Sequence, residues 1–344
     1  MRVYQVGGEQ WLNNAPLYEN FPGPFNLPFT YPPFAAVLFS AVALLPWGLV
    51  VALWTIGGLA LFTGACLAAA WHIPQRTMVI GLLVAAACLV LDPIRGTLEL
   101  GQINMLLMGL VALDCLLPRT PWPRGMLIGI AAAIKLTPAI FILFFLPRKQ
   151  WQPAVTAVLT FIGTAVIGWA LAPKDSAAFW LHAMLDPGRV GGLAYTSNQS
   201  IKGLLFRLGI GTPLWALLCV AVVALAWFVV ARSRDDLAAM LAVATAGLLV
   251  SPVSWSHHWV WIGPALIYLY VNARKALIPV ALVFAIGPHW LLPNTGDQEL
   301  QWSWWQHIVG NSYVWLGLAL LVHLARQTRK PSIDRRIDAV VQTT

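Results

Sequence analysis

The chain has 344 residues, 59% of them hydrophobic and 10% charged, with 18 Trp, 24 Pro, 27 Gly and a formal net charge of +8. Soluble proteins carry about 25% charged residues. This composition, with a mean hydropathy of +0.73, therefore excludes a soluble enzyme, a coiled coil and a disordered chain, and fits a polytopic membrane protein with interfacial aromatics.

In chain order, the first 33 residues read as an outer segment. A span needs about 20 mainly apolar residues, fewer where protein surrounds its ends. On that basis nine crossings are predicted: Trp47 to Trp71, Met78 to Leu91, Ile103 to Leu117, Trp151 to Ala172, Pro213 to Ala231, Leu237 to Val250, Trp259 to Val271, Ala276 to Leu292 and Tyr313 to Ala325. Phe34 to Leu45 is too short to cross and ends at Pro46. Gly125 to Leu146 is long enough, yet Lys135 and Pro138 interrupt it, and basic residues flank both ends: Arg119 and Arg124, then Arg148 and Lys149. These flanks predict two half-helices returning to the cytoplasmic side. Within that stretch Gly125 and Gly129 have the spacing of a helix-packing motif. The expected fold class is thus an all-α polytopic membrane bundle, with short or re-entrant helices beside the crossings.

This arrangement puts 14 of the 21 basic residues on the inner face, including Arg76 and a basic cytoplasmic tail over residues 326–344; residues 1–325 form one transmembrane domain. Only Lys135 lies deep in the bilayer, and no internal repeat is visible, whereas a transporter is expected to keep ionisable groups near the midplane in two related halves. The net charge belongs to cytoplasmic loops rather than to a nucleic-acid surface. Cys66, Cys88, Cys115 and Cys219 all fall in apolar stretches, where a thiol behaves as a small hydrophobe.

Several polar motifs interrupt the apolar background. Leu27 to Phe34 holds Pro32 and Pro33, which either begin a stiff helix or fix Tyr31 at the mouth of an interfacial cleft. Asp92 to Asn104 reads as a polar loop in which Gln102 and Asn104 either bind sugar hydroxyls or cap the next helix. A lysine inside an apolar segment is costly. Lys135 therefore needs a partner: an acid, the carbonyls of a broken helix, or a lipid phosphate. Asn198-Gln199-Ser200 matches a weak glycosylation pattern, and a helix cap is its plainer role. Ser251 to Trp261 is the densest signal. Its His257 and His258, about 100° apart on a helix, are poorly placed to share a metal; they bind phosphate, shuttle a proton or sit in the aromatic belt. Phosphate-binding glycine loops, His-Glu-x-x-His and Gly-x-Ser-x-Gly are absent from the sequence.

Phe29-Thr30-Tyr31-Pro32-Pro33, Gly101-Gln102-Ile103-Asn104, Ala133 to Pro138, Asn198-Gln199-Ser200 and Ser254 to Trp259, in this order, resemble glycosyltransferase family 87, of the integral-membrane GT-C type. The resemblance implies a mannosyltransferase of the plasma membrane that uses polyprenyl-phosphate mannose and adds α-(1→2)-linked mannose, with inversion, to a lipid-linked mannoside or lipoglycan outside the membrane. Arabinofuranose is the less frequent sugar. No cofactor beyond the donor and no metal site is expected. Such a reaction needs a carboxylate base and groups that stabilise the departing phosphate. His257, His258 and Lys135 are the phosphate-side candidates; Gln102, Asn104, Tyr31, Asn198, Gln199 and Trp255 are candidate sugar or headgroup contacts.

One departure stands out. Relatives place the catalytic aspartate after a first helix and shortly before a Val-Tyr pair, whereas here Val3-Tyr4 follows Met1-Arg2 directly. The expectation is that Met1 is an internal start; otherwise Glu9, Glu19, Asp92 or Glu99 must act as base. A transporter or flippase of a lipid-linked sugar is the alternative from another class, and a membrane scaffold or inactive copy the third.

Overall fold

Runs of Leu, Val, Ala and Phe punctuated by Pro and Gly give a helical chain. The computed structural model describes residues 1–19, 22, 28–73 and 78–328. Leu27, Arg76 and the basic tail from Arg329 onward lie outside the described residues.

The helices, in order, are α1 (Arg2–Leu12), α2 (Pro33–Ala43), α3 (Trp47–Trp71), α4 (Met78–Ala87), α5 (Asp92–Leu100), α6 (Asn104–Leu116), α7 (Met126–Ile134) and α8 (Trp151–Leu171). There follow α9 (Pro173–Leu181), α10 (Ile201–Arg207), α11 (Thr212–Arg232), α12 (Asp236–Val250), α13 (Ile262–Asn272), α14 (Arg274–Ile286), α15 (Trp304–Gly310) and α16 (Ser312–Gln327). Among the described residues the sole β pairing is an isolated antiparallel bridge between Asn198 and Trp255.

Helices occupy all nine stretches predicted to cross, but length separates them. Three helices, α3, α8 and α11, are long and apolar enough to span, and they turn most of their surface outward. Two bent pairs pass the same test when joined: Met78–Val90 with α5, bent by 70°, and α15 with α16, bent by 66°. The described residues thus support three to five spans of the nine. Two of the others, α6 and α12, have 13 and 15 residues, so at 1.5 Å per residue they reach roughly 20–23 Å against a core of about 30 Å. Helix α12 is apolar on all sides and buried along nearly its whole length, the pattern of a central helix clad in protein.

Two segments not expected to be helical form helices. Residues of the outer N-terminal segment form α1, which packs along α2. The polar stretch after Leu91 forms α5, started by Asp92 and Pro93 in its first turn and stopped by Gly101 at φ 59°. Both are ordinary helix punctuation; the expectation of a loop weighed polarity above them.

The interrupted stretch after Gly125 breaks as its Lys and Pro predict. Helix α7 stops at Ile134, Lys135 is extended, and a 3-10 helix, Thr137–Phe144, packs back on α7. At the other end of that hairpin Arg148 donates to Asp236 Oδ1 at 2.5 Å and to the Ser233 carbonyl, joining it to the start of α12. Gly125 and Gly129 let α7 lie directly on α8: a Cβ on Gly129 would stand 2.6 Å from the Ala157 carbonyl oxygen and from Thr160 Cβ. Overpacking of this kind costs about 1–3 kcal/mol. Gly129→Val is therefore expected to lower the unfolding temperature of the detergent-solubilised protein, while Gly163→Ala, where a Cβ meets nothing within 4 Å, leaves it nearly unchanged.

Candidate active site

The break at Lys135 places a cation inside the bundle. Its backbone has φ −148° and ψ 128°, so the side chain leaves the axis of α7 and reaches towards α6. Lys135 Nζ donates to Asn104 Oδ1 at 3.3 Å and lies 3.2 Å from His258 Nε2. Asn104, the first residue of α6, is held in turn: its Nδ2 donates to the His257 carbonyl at 3.0 Å, which also accepts from Thr97 Oγ1 at 3.0 Å. Both amide ends of Asn104 are thus assigned, with the oxygen turned to the cation.

Lys135, Asn104 and His258 line one half-open cavity of about 70 Å³ together with Ser251 and Ser254. The rest of its wall is largely apolar, including Leu107, Val111, Ile140, Phe141 and Leu248. One polar corner carrying a cation, continued by a hydrocarbon-lined space, suits an amphiphile with an anionic head.

His257 and His258 stand nearly perpendicular, with ring planes 84° apart and centroids 4.9 Å apart. Burial, and then the neighbouring Lys135, pushes the His257 imidazole down to about 3. The same causes, with His257 added, hold His258 well below its ordinary value. Both rings are neutral at physiological pH, so His258 Nε2 accepts from Lys135 and Lys135 supplies the positive charge. Among the described residues no three His, Cys, Asp or Glu side chains are grouped to hold a metal ion.

The other candidates lie outside the cavity. Tyr31 and Gln102 are connected through a residue that the motifs did not single out. The Tyr31 hydroxyl lies 3.1 Å from the Tyr4 hydroxyl; Tyr4 donates to Gln102 Oε1 at 3.0 Å and accepts from the Ile103 amide at 3.1 Å. Asn198 and Gln199 are fully buried. Asn198 receives the Ser254 amide and donates to the Pro252 carbonyl; Gln199 donates to the Thr196 and Gly310 carbonyls and accepts from the Tyr313 amide. Their amides are occupied in tying the loop before α10 to the Ser254–Trp255 segment and to α16. Ser200 supplies the helix cap, accepting from the Gly203 amide at 3.0 Å.

Among the acids, Asp92 is buried and both its oxygens are engaged, Oδ1 by Trp290 Nε1 at 2.8 Å and Oδ2 by the Tyr313 hydroxyl at 2.9 Å. Glu19 and Glu99 are exposed, and Glu9 is partly buried on α1. Thr97, Tyr4, Trp290 and Tyr313 were missed by sequence reasoning. Two of them carried a signal: Thr97 lies one helical turn after Pro93 in a stretch already singled out, and Tyr4 belongs to the Val3-Tyr4 pair.

The fold is that of a helical protein with spans long enough to cross a membrane, and similarity to known proteins gives its family. Residues 29–252 match the model of glycosyltransferase family 87. The chain is 38% identical to a polyprenol-phosphate-mannose-dependent alpha-(1-2)-phosphatidylinositol mannoside mannosyltransferase of Mycobacterium tuberculosis, over 97% of this chain and 87% of that protein. It is also 38% identical to the protein of the same description from Mycolicibacterium smegmatis, over 93% of this chain and 82% of the relative. At 31% identity it matches a phosphatidylinositol pentamannoside mannosyltransferase of the latter organism over 94% of this chain and 84% of the relative. No solved structure matches the chain. The chain belongs to glycosyltransferase family 87 and is a multi-pass membrane enzyme.

Proposed function

We propose that this enzyme transfers a mannosyl residue from polyprenyl-phosphate mannose to a lipid-linked mannoside, forming an α-(1→2) linkage with inversion on the extracytoplasmic face. The observation that carries the reading is the Lys135–Asn104–His258 corner on an apolar cavity. It matches a donor with a phosphate at one end and an isoprenoid chain at the other, and relatives aligned over nearly the whole chain are described as using that donor.

In the proposed reaction the acceptor hydroxyl oxygen bonds to the mannose anomeric carbon while the bond from that carbon to the phosphate oxygen breaks. The hydroxyl proton passes to a carboxylate, and polyprenyl phosphate departs with the bonding electron pair. The Lys135 ammonium meets the charge that grows on the phosphate, and neutral His258 orients that ammonium. In a water-poor site such a fixed cation acts more strongly than in bulk solvent. A GT-C-like arrangement of about nine crossings, several of them short helices clad in protein, accommodates this site, with the basic tail from Arg326 inside.

The test supplies membranes carrying the protein with labelled polyprenyl-phosphate mannose and phosphatidylinositol mannoside. The wild type is expected to transfer label to the acceptor and release polyprenyl phosphate. Lys135→Met is expected to slow transfer on the order of 10²–10³-fold, the scale of losing one charge-stabilising donor. Full transfer by that variant, or label moved across the membrane while still on its carrier, would overturn the reading, the latter in favour of a flippase.

A further inference from the structure

One turn of chain before His258, Trp255 meets two further aromatic rings near the surface. The Tyr195 ring centroid is 6.0 Å from that of Trp255 and 5.9 Å from that of Trp290, both pairs edge-to-face at interplanar angles of 65° and 66°. Tyr195 and Trp290 remain 42% and 38% exposed, and Trp255 is half-buried.

These rings are held in place, unlike aromatics that merely rest at a membrane surface. The Trp290 indole donates to Asp92 Oδ1, whose partner oxygen is already bound by Tyr313. Trp255 is fixed through its backbone bridge to Asn198 and by Gly191, at φ 115°, where a Cβ would come within 2.9 Å of the indole ring. In contrast, Trp304 and Trp305 are 76% and 48% exposed and make no ring contact among the described residues, which is how belt tryptophans sit.

Position supplies the rest. The Trp255 carbonyl accepts from the His258 amide at 2.7 Å, so a single turn of chain joins the aromatic angle to the residue that touches Lys135. The apolar part of the cavity already offers space for hydrocarbon. A rigid, exposed aromatic corner suits instead a ligand with a flat C–H face and a polar rim, met without the cost of ordering a flexible side chain. A pyranose ring has that form.

We infer that Tyr195, Trp255 and Trp290 form the binding platform for the acceptor's sugar, an α-mannopyranoside ring stacked with its hydroxyls in solvent and one of them facing the donor corner. The choice of mannoside rests on the proposed function; the platform itself rests on the rings.

Two measurements test the inference on the full chain in detergent or membranes. In saturation-transfer NMR, free α-(1→2)-mannobiose is expected to receive saturation from the wild type and to lose it in Tyr195→Ala and Trp255→Ala, while Tyr195→Phe and Trp255→Tyr restore it. In the transfer assay the two alanine variants are expected to raise the KM for the mannoside on the order of tenfold, with the KM for the donor unchanged. No saturation of the sugar by the wild type, equal saturation in the alanine variants, or an equal rise in donor KM would overturn the platform. So would weaker membrane retention with an unaltered acceptor KM, which is the result for a belt. Sugar saturation by a wild type that transfers no mannose would leave the platform standing and remove the proposed reaction.

Discussion

The half-buried charge of Lys135 is the constraint around which the candidate site is built. A lysine in an apolar bundle costs a few kcal/mol unless partnered, and no acid lies within ion-pair distance of it among the described residues. The partners are neutral instead: the Asn104 oxygen and the His258 nitrogen. That choice leaves the cation uncompensated by any anion among the described residues, a poor solution for stability alone and one that supports the anionic donor proposed above. Other features follow from it. Helix α7 must end for the side chain to leave its axis, the Asn104 amide must be oriented, and the His257 carbonyl, receiving both Asn104 and Thr97, does the orienting.

A second buried polar network holds the outer layer against the bundle. Arg207 donates to the Ala194, Tyr195 and Asn198 carbonyls and to Asn311, so one guanidinium ties the loop before α10 to the start of α16. Its planar fork suits several carbonyls at once. Gln199 and the Asp92–Trp290–Tyr313 contacts extend the same connection. These groups share no hydrophobic periodicity, yet they set where Trp255 and the following histidines stand relative to α5 and α6. The polarity of such a loop is thus spent largely on hydrogen bonds that hold neighbouring segments still.

Much of the fold was legible because its causes are local. The bounds of α3 coincide with the predicted ones, and α8, α11 and α16 differ by a few residues, since apolar runs and Pro or Gly stops act within a few residues of where they stand. The break at Lys135 and Pro138 and the packing glycines of α7 were readable for the same reason. The count of crossings was not, because a 13-residue helix such as α6 is set by what surrounds it. Asp92 shows the corresponding limit at the site. Its sequence position left it open as a base, and only the folded chain brings Trp290 and Tyr313, about 200 residues away, onto its two oxygens.

The sequence by itself determined the membrane class, the helical segments and the family, and it offered Lys135, Asn104 and both adjacent histidines as candidates. Tertiary structure decided which of the adjacent histidines reaches the lysine, which amides are free and which are spent, and that Tyr195 and Trp290 join Trp255. The reason is geometric. Hydropathy and helix punctuation are properties of neighbouring residues, whereas the lysine–histidine contact spans 123 positions, and its existence depends on how each helix is rotated about its own axis when the bundle packs.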